Sequence, residues 1–338
     1  MDIDAYVAAH RHEWDRLDQL LRRAGGVRRR GRWSGPEVDE LVTLYQRVAT
    51  HLSVVRSASP DPALVGRLSA LVARARSAVT GTETPTWTDL GRFFARTYPA
   101  ALYRSARWWV PVGVCFSLVG LVVGWWVAAT PRVQASIAAP EQIRQLVQRD
   151  FEDYYSSAPA GSFAARVATN NAWVAALALA LGVLVVPVLW ILWTNALNVG
   201  ISGGLMAAGG RLDVFFGLIL PHGLLELTCV FVAAGAGLRL GWAWVDPGPR
   251  TRSQALADEG QAAGALAIGL AATLAVSGVV EAFVTPSGLP TWARVGIGAA
   301  VWLAFLAYVV LIGGRAVRAG ETGAVTGAGQ AARAPVAA

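Results

Sequence analysis

The chain has 338 residues, of which 54% are hydrophobic and only 15% are charged, and its mean hydropathy is +0.45. Soluble globular domains carry about 25% charged residues, and several apolar runs here exceed the ~20 residues that cross a bilayer as a helix. The composition therefore excludes an ordinary soluble domain and predicts an all-α, polytopic helical membrane protein with five to six spans.

The net charge is +7, and arginine carries all of the positive charge because the 29 basic residues include no lysine. Residues 1–107 hold 17 arginines and 11 acidic residues, a net of 17 − 11 = +6. A basic excess before the first span is typical of the cytoplasmic side of a membrane and suits contact with anionic lipids. We therefore expect a multi-pass protein with a cytoplasmic N-terminus and membrane lipids as partners. The sequence shows no nucleic-acid-binding pattern, so no nucleic-acid partner is expected.

Residues 1–85 predict a cytoplasmic helical bundle. A first helix covers about 2–24, a capping box of Ser34 and Glu37 opens a second, and a third starts at Asp61. The second helix carries apolar residues with the spacing of a packing seam, namely Val38, Leu41, Tyr45, Val48, Leu52 and Val55. This module is either a bundle without chemistry or a docking surface for a partner or for a second copy in a homodimer. The Gly/Arg loop 24–35 is either a solvated connector or a patch that touches lipid headgroups.

Residues 86–107 combine aromatic residues with arginines, which predicts an amphipathic interfacial helix before the first span. That span is expected at 108–129, with aromatic pairs at both of its ends. The interfacial anchors predicted from this pattern are Trp87, Phe93, Phe94, Trp108, Trp109, Trp125 and Trp126.

The rest of the transmembrane domain, 108–316, contains one long polar interruption. Residues 130–168 predict an extracytoplasmic loop with a short amphipathic helix at about 139–155. The later spans are expected at 169–189, 213–241, 263–284 and 293–314, and the Gly-rich piece 192–208 either crosses or forms a broken or re-entrant helix. Arginine placement favours an even number of crossings, and the tail 320–338 is expected to be disordered.

Several polar residues fall inside apolar sequence. His222 and Glu226 are four residues apart and share one helix face, and Glu281 ends the next span with Thr285 one turn later. Asn195 and Asn198 lie on the short Gly-rich piece. An ionisable group in hydrocarbon costs several kcal/mol, so it faces the protein interior and needs a partner. These residues are therefore expected to meet in one intramembrane polar site.

Pro221 precedes His222 in the middle of a span. A proline there removes a backbone hydrogen bond, which predicts a kink or the start of a half-helix. Half-helix ends line binding sites in many transporters.

Three hypotheses stay open for this polar site. It is a structural lock between helices, a proton or ion pathway, or a divalent-metal site with His222, Glu226 and Glu281 as ligands. No second histidine or general-base glutamate of a metalloprotease motif accompanies them. The sequence also contains no recognisable catalytic triad or nucleotide-binding fingerprint. No cofactor is therefore predicted, and metal is the less favoured alternative.

Three stretches together resemble a known family. LPHGLLELTCVFVAAGAGLRLG at 220–241, VEAFVTPSGLP at 280–290 and TNALNVGISGG at 194–204 resemble the stage II sporulation protein M family of bacterial membrane proteins. The resemblance covers roughly 90–315, and the preceding module is similar to the N-terminal extension of actinobacterial members. The residues that match the motif positions are His222, Gly223, Glu226, Glu281, Thr285 and Pro286.

The resemblance implies a bacterial plasma-membrane protein with no activity of its own. Endospore-forming members of the family support peptidoglycan-degrading partners at the septum. We therefore expect a non-enzymatic scaffold or anchor for envelope-remodelling or peptidoglycan-remodelling proteins. A transporter or proton-pathway protein is the alternative, and an intramembrane metal-dependent hydrolase is the second alternative.

Overall fold

The computed structural model describes most of the chain, namely residues 3–24, 34–58, 61–80, 87–151 and 160–325. These residues are almost entirely helical and include no β-strand. Their contacts form two compact units, one before residue 87 and one over Trp87–Val325. The all-α fold class predicted from composition is confirmed.

The first unit has three helices, α1 (Ile3–Ala24), α2 (Gly35–Ser57) and α3 (Pro62–Thr80). The backbone N–H of Ser34 donates to the Glu37 carboxylate at 2.9 Å, which closes the capping box before α2. α2 starts directly after Ser34, where the capping box predicted it, because capping chemistry is encoded locally.

The apolar seam predicted on α2 packs against the other two helices of this unit. Leu41, Val48, Leu52 and Val55 are buried against α1 and α3, whereas Val38 is 41% exposed. Docking or dimerisation would therefore have to use another surface of the module. The Gly/Arg loop is outside the described residues except at its ends.

Ion pairs tie α1 to its two neighbours. Arg16 donates to Glu40 on α2 at 2.7 Å, and Arg67 on α3 lies 3.0 Å from Asp15. Because these side chains are solvent-exposed, the pairs contribute little to stability. The apolar core therefore holds the helices together, while the ion pairs favour one arrangement of them.

The second unit contains the membrane-spanning helices. In chain order its helices are α4 (Trp87–Ala129), α5 (Pro131–Ile137), α6 (Pro140–Gln145), α7 (Ala160–Ala180), α8 (Val186–Ala208), α9 (Leu212–Val245), α10 (Arg252–Phe283) and α11 (Thr291–Arg318). Five of the described helices are long and apolar enough to cross a membrane, namely α4, α8, α9, α10 and α11.

Contacts along the helices give their directions. Gly120 and Gly124 of α4 meet Gly200 and Gly204 of α8 in the same order, so these two helices run in parallel. Asn171 of α7 meets Glu226 of α9, and further along the chain Gly182, just beyond α7, meets Gly237. α7 therefore runs alongside α9 in the same direction, and the described chain passes through the bundle six times.

The two ends of the bundle differ in charge. Gly313 of α11 packs on Pro99 of α4, so the chain enters and leaves this unit at the same end. We call this the arginine-rich end, and its arginines include Arg96, Arg104, Arg107, Arg239, Arg250, Arg252, Arg315 and Arg318. The opposite end has Arg132, Arg144, Arg149, Arg211 and Arg294, and Arg166 lies in the second turn of α7.

Three predicted boundaries differ from the structure. Residues 86–107 do not form a separate interfacial helix, because α4 runs without a break from Trp87 through a π-helical turn at Phe93–Thr97 to Ala129. The piece 192–208 belongs to the continuous 23-residue helix α8 and is not re-entrant. The break lies earlier, at residues 181–185, where Val185 has φ = 56°.

The polar segment after α4 is helical where it is described. α5 and α6 follow each other closely, and α6 continues through a π-helical turn to Asp150. α6 and the turn after it lie within the predicted short helix at 139–155. The last part of that predicted helix, from residue 152, is outside the described residues. α7 begins at Ala160, so the predicted loop is shorter than 130–168.

Residues 320–325 of the predicted disordered tail are described, and the rest of the tail is not. Gly323 adopts φ = 77° and packs against the backbone of Ala101. Glu321 lies 3.9 Å from Arg96. The first part of the tail therefore packs on α4.

Glycines bring the spanning helices into backbone contact. A β-carbon on Gly200 would lie 2.8 Å from the Gly120 carbonyl oxygen, and one on Gly204 would lie 2.6 Å from that of Gly124. A β-carbon on Gly237 would lie 2.3 Å from the Ala178 carbonyl oxygen. Small residues allow such approach in membranes, where van der Waals packing drives helix association.

Candidate functional site

A buried polar cluster joins α9 to the end of α10. His222 Nδ1 lies 3.2 Å from Thr285 Oγ1, and both side chains are buried. Ser277 of α10 donates its hydroxyl to the His222 carbonyl oxygen at 3.0 Å. Arg294 of α11 donates to the Thr285 carbonyl oxygen at 2.8 Å. These bonds hold the end of α10 and the start of α11 against the middle of α9.

Glu226 lies one turn beyond His222 and is only 1% exposed. The side-chain amide of Asn171 on α7 donates to Glu226 Oε2. Glu226 Oε1 has no hydrogen-bond partner among the residues that the structure describes. A buried acceptor without a donor is costly, so the Asn171 bond matters for the packing of α7 on α9.

Glu281 is buried, and its side chain is only 2% exposed. Within the described part of the chain, neither of its carboxylate oxygens has a hydrogen-bond partner. It lies close enough to Glu226 for the two carboxyl groups to interact electrostatically. Two buried acids in this arrangement can take up protons or a cation, because a protonated carboxyl group gains a donor and a cation supplies the missing charge.

The sequence missed Asn171 as a member of this site. The tandem Asn170–Asn171 stands at the polar start of the span predicted at 169–189, and nothing in the local pattern indicates a buried partner for it. Because the preceding residues are also helical, Asn171 lies within α7 and faces Glu226.

The two asparagines of α8 lie elsewhere. The Asn195 amide donates to the Ile191 carbonyl oxygen of its own helix at 2.8 Å, and Asn198 is exposed. Among the described residues, no hydrogen bond joins either of them to His222, Glu226 or Glu281. The reason is geometric, since α8 pairs mainly with α4 through its glycines and leaves these amides outside the α9–α10 contact.

Pro221 does not start a half-helix, because α9 is continuous from Leu212 to Val245. Its backbone forms part of a close contact instead. A β-carbon on Gly298 of α11 would lie 2.2 Å from the Pro221 carbonyl oxygen. α9 itself therefore provides no positive helix end at Pro221.

The predicted interfacial anchors divide into two groups. Trp87, Trp125 and Trp126 are exposed, as an aromatic belt requires, and Trp108 is partly exposed. Phe93 and Phe94 pack against the core of the second unit instead. Trp109 is buried in that core and donates its indole N–H to the Leu102 carbonyl oxygen at 3.0 Å. The sequence pattern could not separate the two groups, because α4 carries aromatic residues both on its exposed face and on the face that packs against the core.

The predicted metal ligands His222, Glu226 and Glu281 do not bring all three of their ligand atoms within 4.8 Å of one another, whereas a different described trio does. That trio is His10, Glu13 and His51, on α1 and α2. Trp14 donates its indole N–H to His51 Nδ1 at 3.2 Å, so this nitrogen already accepts a hydrogen bond. Burial lowers the pKa of His51. Sequence spacing could not find the trio, since His51 reaches it only through the packing of α2 on α1.

The comparisons with known proteins match two parts of the chain. A family model described as stage II sporulation protein M matches residues 112–286, which include His222, Glu226, Glu281 and Thr285. A model described as a domain of unknown function (DUF8413) matches residues 4–81, which is nearly the whole first unit. No curated protein and no solved structure matches.

Proposed function

The chain belongs to the stage II sporulation protein M family, and from this membership we propose that it acts as a non-enzymatic membrane scaffold or anchor for an assembly that remodels the cell envelope. In this role the spanning bundle is a rigid platform. Peptidoglycan-remodelling proteins are the proposed partners, and the bacterial plasma membrane is the proposed location.

The close backbone packing of the spanning helices carries this proposal. Glycine contacts join α4 to α8, the end of α7 to α9, and α11 to α9, and each leaves no room for a single methyl group. Packed interiors of this kind do not deform continuously. Such a bundle is better suited to holding partners in place than to alternating between open and closed states.

The polar cluster fits this role as a lock. Bonds from Ser277, Thr285 and Arg294 connect α9, α10 and α11, and the bond from Asn171 adds α7. Interhelical hydrogen bonds in membranes contribute about 0.6–2 kcal/mol each. The lock therefore fixes the relative positions of four helices without doing chemistry.

The proposed orientation places the arginine-rich end in the cytoplasm, following the positive-inside rule. Because the chain enters and leaves the second unit at this end, the first unit and the C-terminus would then also be cytoplasmic. The segment with α5 and α6 would face the opposite side, toward the wall. This is the side on which peptidoglycan-remodelling partners would act.

A comparison of two glycine variants in the native host tests the scaffold. Gly204→Leu would force α4 and α8 apart, whereas Gly264→Leu on α10 is a matched control with nothing within 4 Å of its β-carbon position. After in-cell cross-linking and purification, the wild type and the Gly264 variant should retain an envelope-remodelling protein that the Gly204 variant loses. Equal loss from both variants, or retention of no such protein by the wild type, would contradict the scaffold.

A proton or cation pathway is the second candidate, because three carboxylate oxygens of Glu226 and Glu281 have no partner. It predicts flux in proteoliposomes that Glu226→Gln abolishes. The scaffold function predicts no flux through the wild type or through the Glu226→Gln variant. Flux measured in these proteoliposomes therefore separates the two functions.

A further inference from the structure

An apolar groove runs along the membrane-facing side of α4 and α8 and is separate from the polar cluster. Its cavity volume is about 760 Å³, and its lining includes Trp108, Cys115, Phe116 and Trp190. Its size falls in the range of small-molecule sites, about 300–1,000 Å³. Leu189 and Trp190 are more than half exposed, so the groove opens toward the surroundings of the bundle.

One charged residue stands among the fourteen that line the groove. This is Arg107, which is exposed and, among the described residues, has no hydrogen-bond or ion-pair partner. It lies at the arginine-rich end, where Trp108 packs near Trp242 with ring centroids 6.2 Å apart. A guanidinium group with free donors is suited to bidentate contact with a phosphate.

The length of the groove matches one leaflet of a bilayer. On α8 its lining extends from Val186 to Ala196, the first half of a helix that ends at Ala208. Eleven helical residues cover about 16 Å, and half of the hydrocarbon core is about 15 Å thick. An acyl chain in the groove would therefore reach the bilayer centre while its headgroup stayed beside Arg107.

We propose that this groove is a binding site for an anionic phospholipid of the leaflet at the arginine-rich end, with an acyl chain against Phe116 and Trp190 and the headgroup phosphate on Arg107. Basic pockets between spanning helices bind anionic headgroups in other membrane proteins. The inference depends on the helices crossing a bilayer and does not depend on the scaffold proposal.

Lipid retention by the full chain tests the site. The purified protein is exchanged into mild detergent with equal amounts of phosphatidylglycerol and phosphatidylcholine of identical acyl chains, and bound lipid is counted by native mass spectrometry. The wild type should retain phosphatidylglycerol preferentially. Arg107→Gln should lower that preference about fivefold, since a basic residue near the surface contributes about 1 kcal/mol to anionic lipid binding.

One further variant and one chemical modification identify the site. Arg104→Gln, one turn earlier on α4, removes an equally exposed arginine that does not line the groove, so its lipid preference should equal that of the wild type. Cys115 lines the groove and is exposed while Cys229 is buried, so a bulky maleimide on Cys115 should displace the lipid without changing any charge.

Three lipid-retention results would overturn the proposal. They are equal retention of the two lipids by the wild type, equal losses in the Arg104 and Arg107 variants, and full phosphatidylglycerol retention after Cys115 is modified. A dimer mass that disappears when Cys115 is modified would assign the groove to a second copy of the chain and would also overturn it. Matching thermal unfolding of both arginine variants in phosphatidylcholine shows that each is folded.

Discussion

Gly298 of α11 lies against the backbone of Pro221 so closely that a β-carbon at position 298 would be 2.2 Å from the Pro221 carbonyl oxygen. The carbonyl belongs to the helix that carries His222 and Glu226. The approach of α11 to the polar cluster therefore depends on the absence of a side chain at one position.

Gly298→Ala should destabilise the bundle. Overpacking of this kind typically costs about 1–3 kcal/mol, and here the contact is with backbone that cannot rotate away. Thermal unfolding in lipid nanodiscs measures the effect. Gly296→Ala is the control, because nothing lies within 4 Å of its β-carbon position, and it should be neutral or stabilising by up to about 1 kcal/mol. A Gly298 variant as stable as the Gly296 variant would contradict the packing.

Glu281→Met should stabilise the protein. The glutamate makes no hydrogen bond in its buried position, so an apolar side chain of similar length removes two unsatisfied oxygens, each worth about 1–3 kcal/mol when buried. Glu226→Met should do the opposite, because it removes the acceptor of the Asn171 amide. Unfolding in the same nanodiscs compares the two variants. If both are destabilised equally, Glu281 has a partner that its geometry does not reveal.

Asn171→Leu should weaken the packing of α7 on α9. It leaves Glu226 buried with no donor, which costs about 1–3 kcal/mol. Asn195→Leu is the matched change, and it should be close to neutral, since that amide donates only to a carbonyl of its own helix. Hydrogen exchange over α7 in the full chain reports the difference. Equal protection of α7 in the two variants would argue against the Asn171–Glu226 bond.

The first unit should lose stability as the pH falls below about 6.5. Burial lowers the pKa of His51 below 6.5, so the unfolded chain binds a proton more readily than the folded one and stability rises with pH. The contribution is present above the unfolded pKa and is lost below it. Hydrogen bonds from Arg74 and Arg22 also lower the pKa of Asp18, which acts in the same direction at more acidic pH.

Hydrogen exchange of α1–α3 in the full chain, corrected for intrinsic rates, measures this dependence. His51→Gln should flatten the change between about pH 7.5 and pH 5.5, while His12→Gln, at an exposed position of α1, should leave it as in the wild type. If the hydrogen exchange of His51→Gln depends on pH as it does in the wild type, the pH dependence of the first unit comes from a titratable group other than His51.

Local signals predicted much of the helical architecture. The capping box at Ser34 set the start of α2, and apolar length predicted an all-α membrane protein with five to six spans. The predicted helix boundaries were wrong where a helix continues through a change in the sequence pattern. Residues 86–107 have an amphipathic pattern, yet nothing in them breaks the helix, so α4 continues from Trp87 to Ala129.

Burial cost identified His222, Glu226 and Glu281 as residues that must face the protein interior, and they do. The same argument did not predict which residues contact these three. Asn195 and Asn198 stand in a conspicuous polar stretch, but α8 pairs mainly with α4. Among the described residues, neither amide bonds to the polar cluster. Asn171 reaches Glu226 because α7 runs beside α9, and the alignment of those two helices is not visible in either segment.

The sequence alone determined which stretches are helices, that several of them cross a membrane, and which ionisable groups had to be buried, because each follows from local periodicity and solvation cost. Only the tertiary structure decided which helices touch. That choice depends on how well the surfaces of segments far apart in the sequence fit together, as when Gly200 meets Gly120 and Gly298 meets Pro221. The polar cluster, the lipid-facing groove and the His10–Glu13–His51 trio all arise from these contacts, which a linear pattern does not encode.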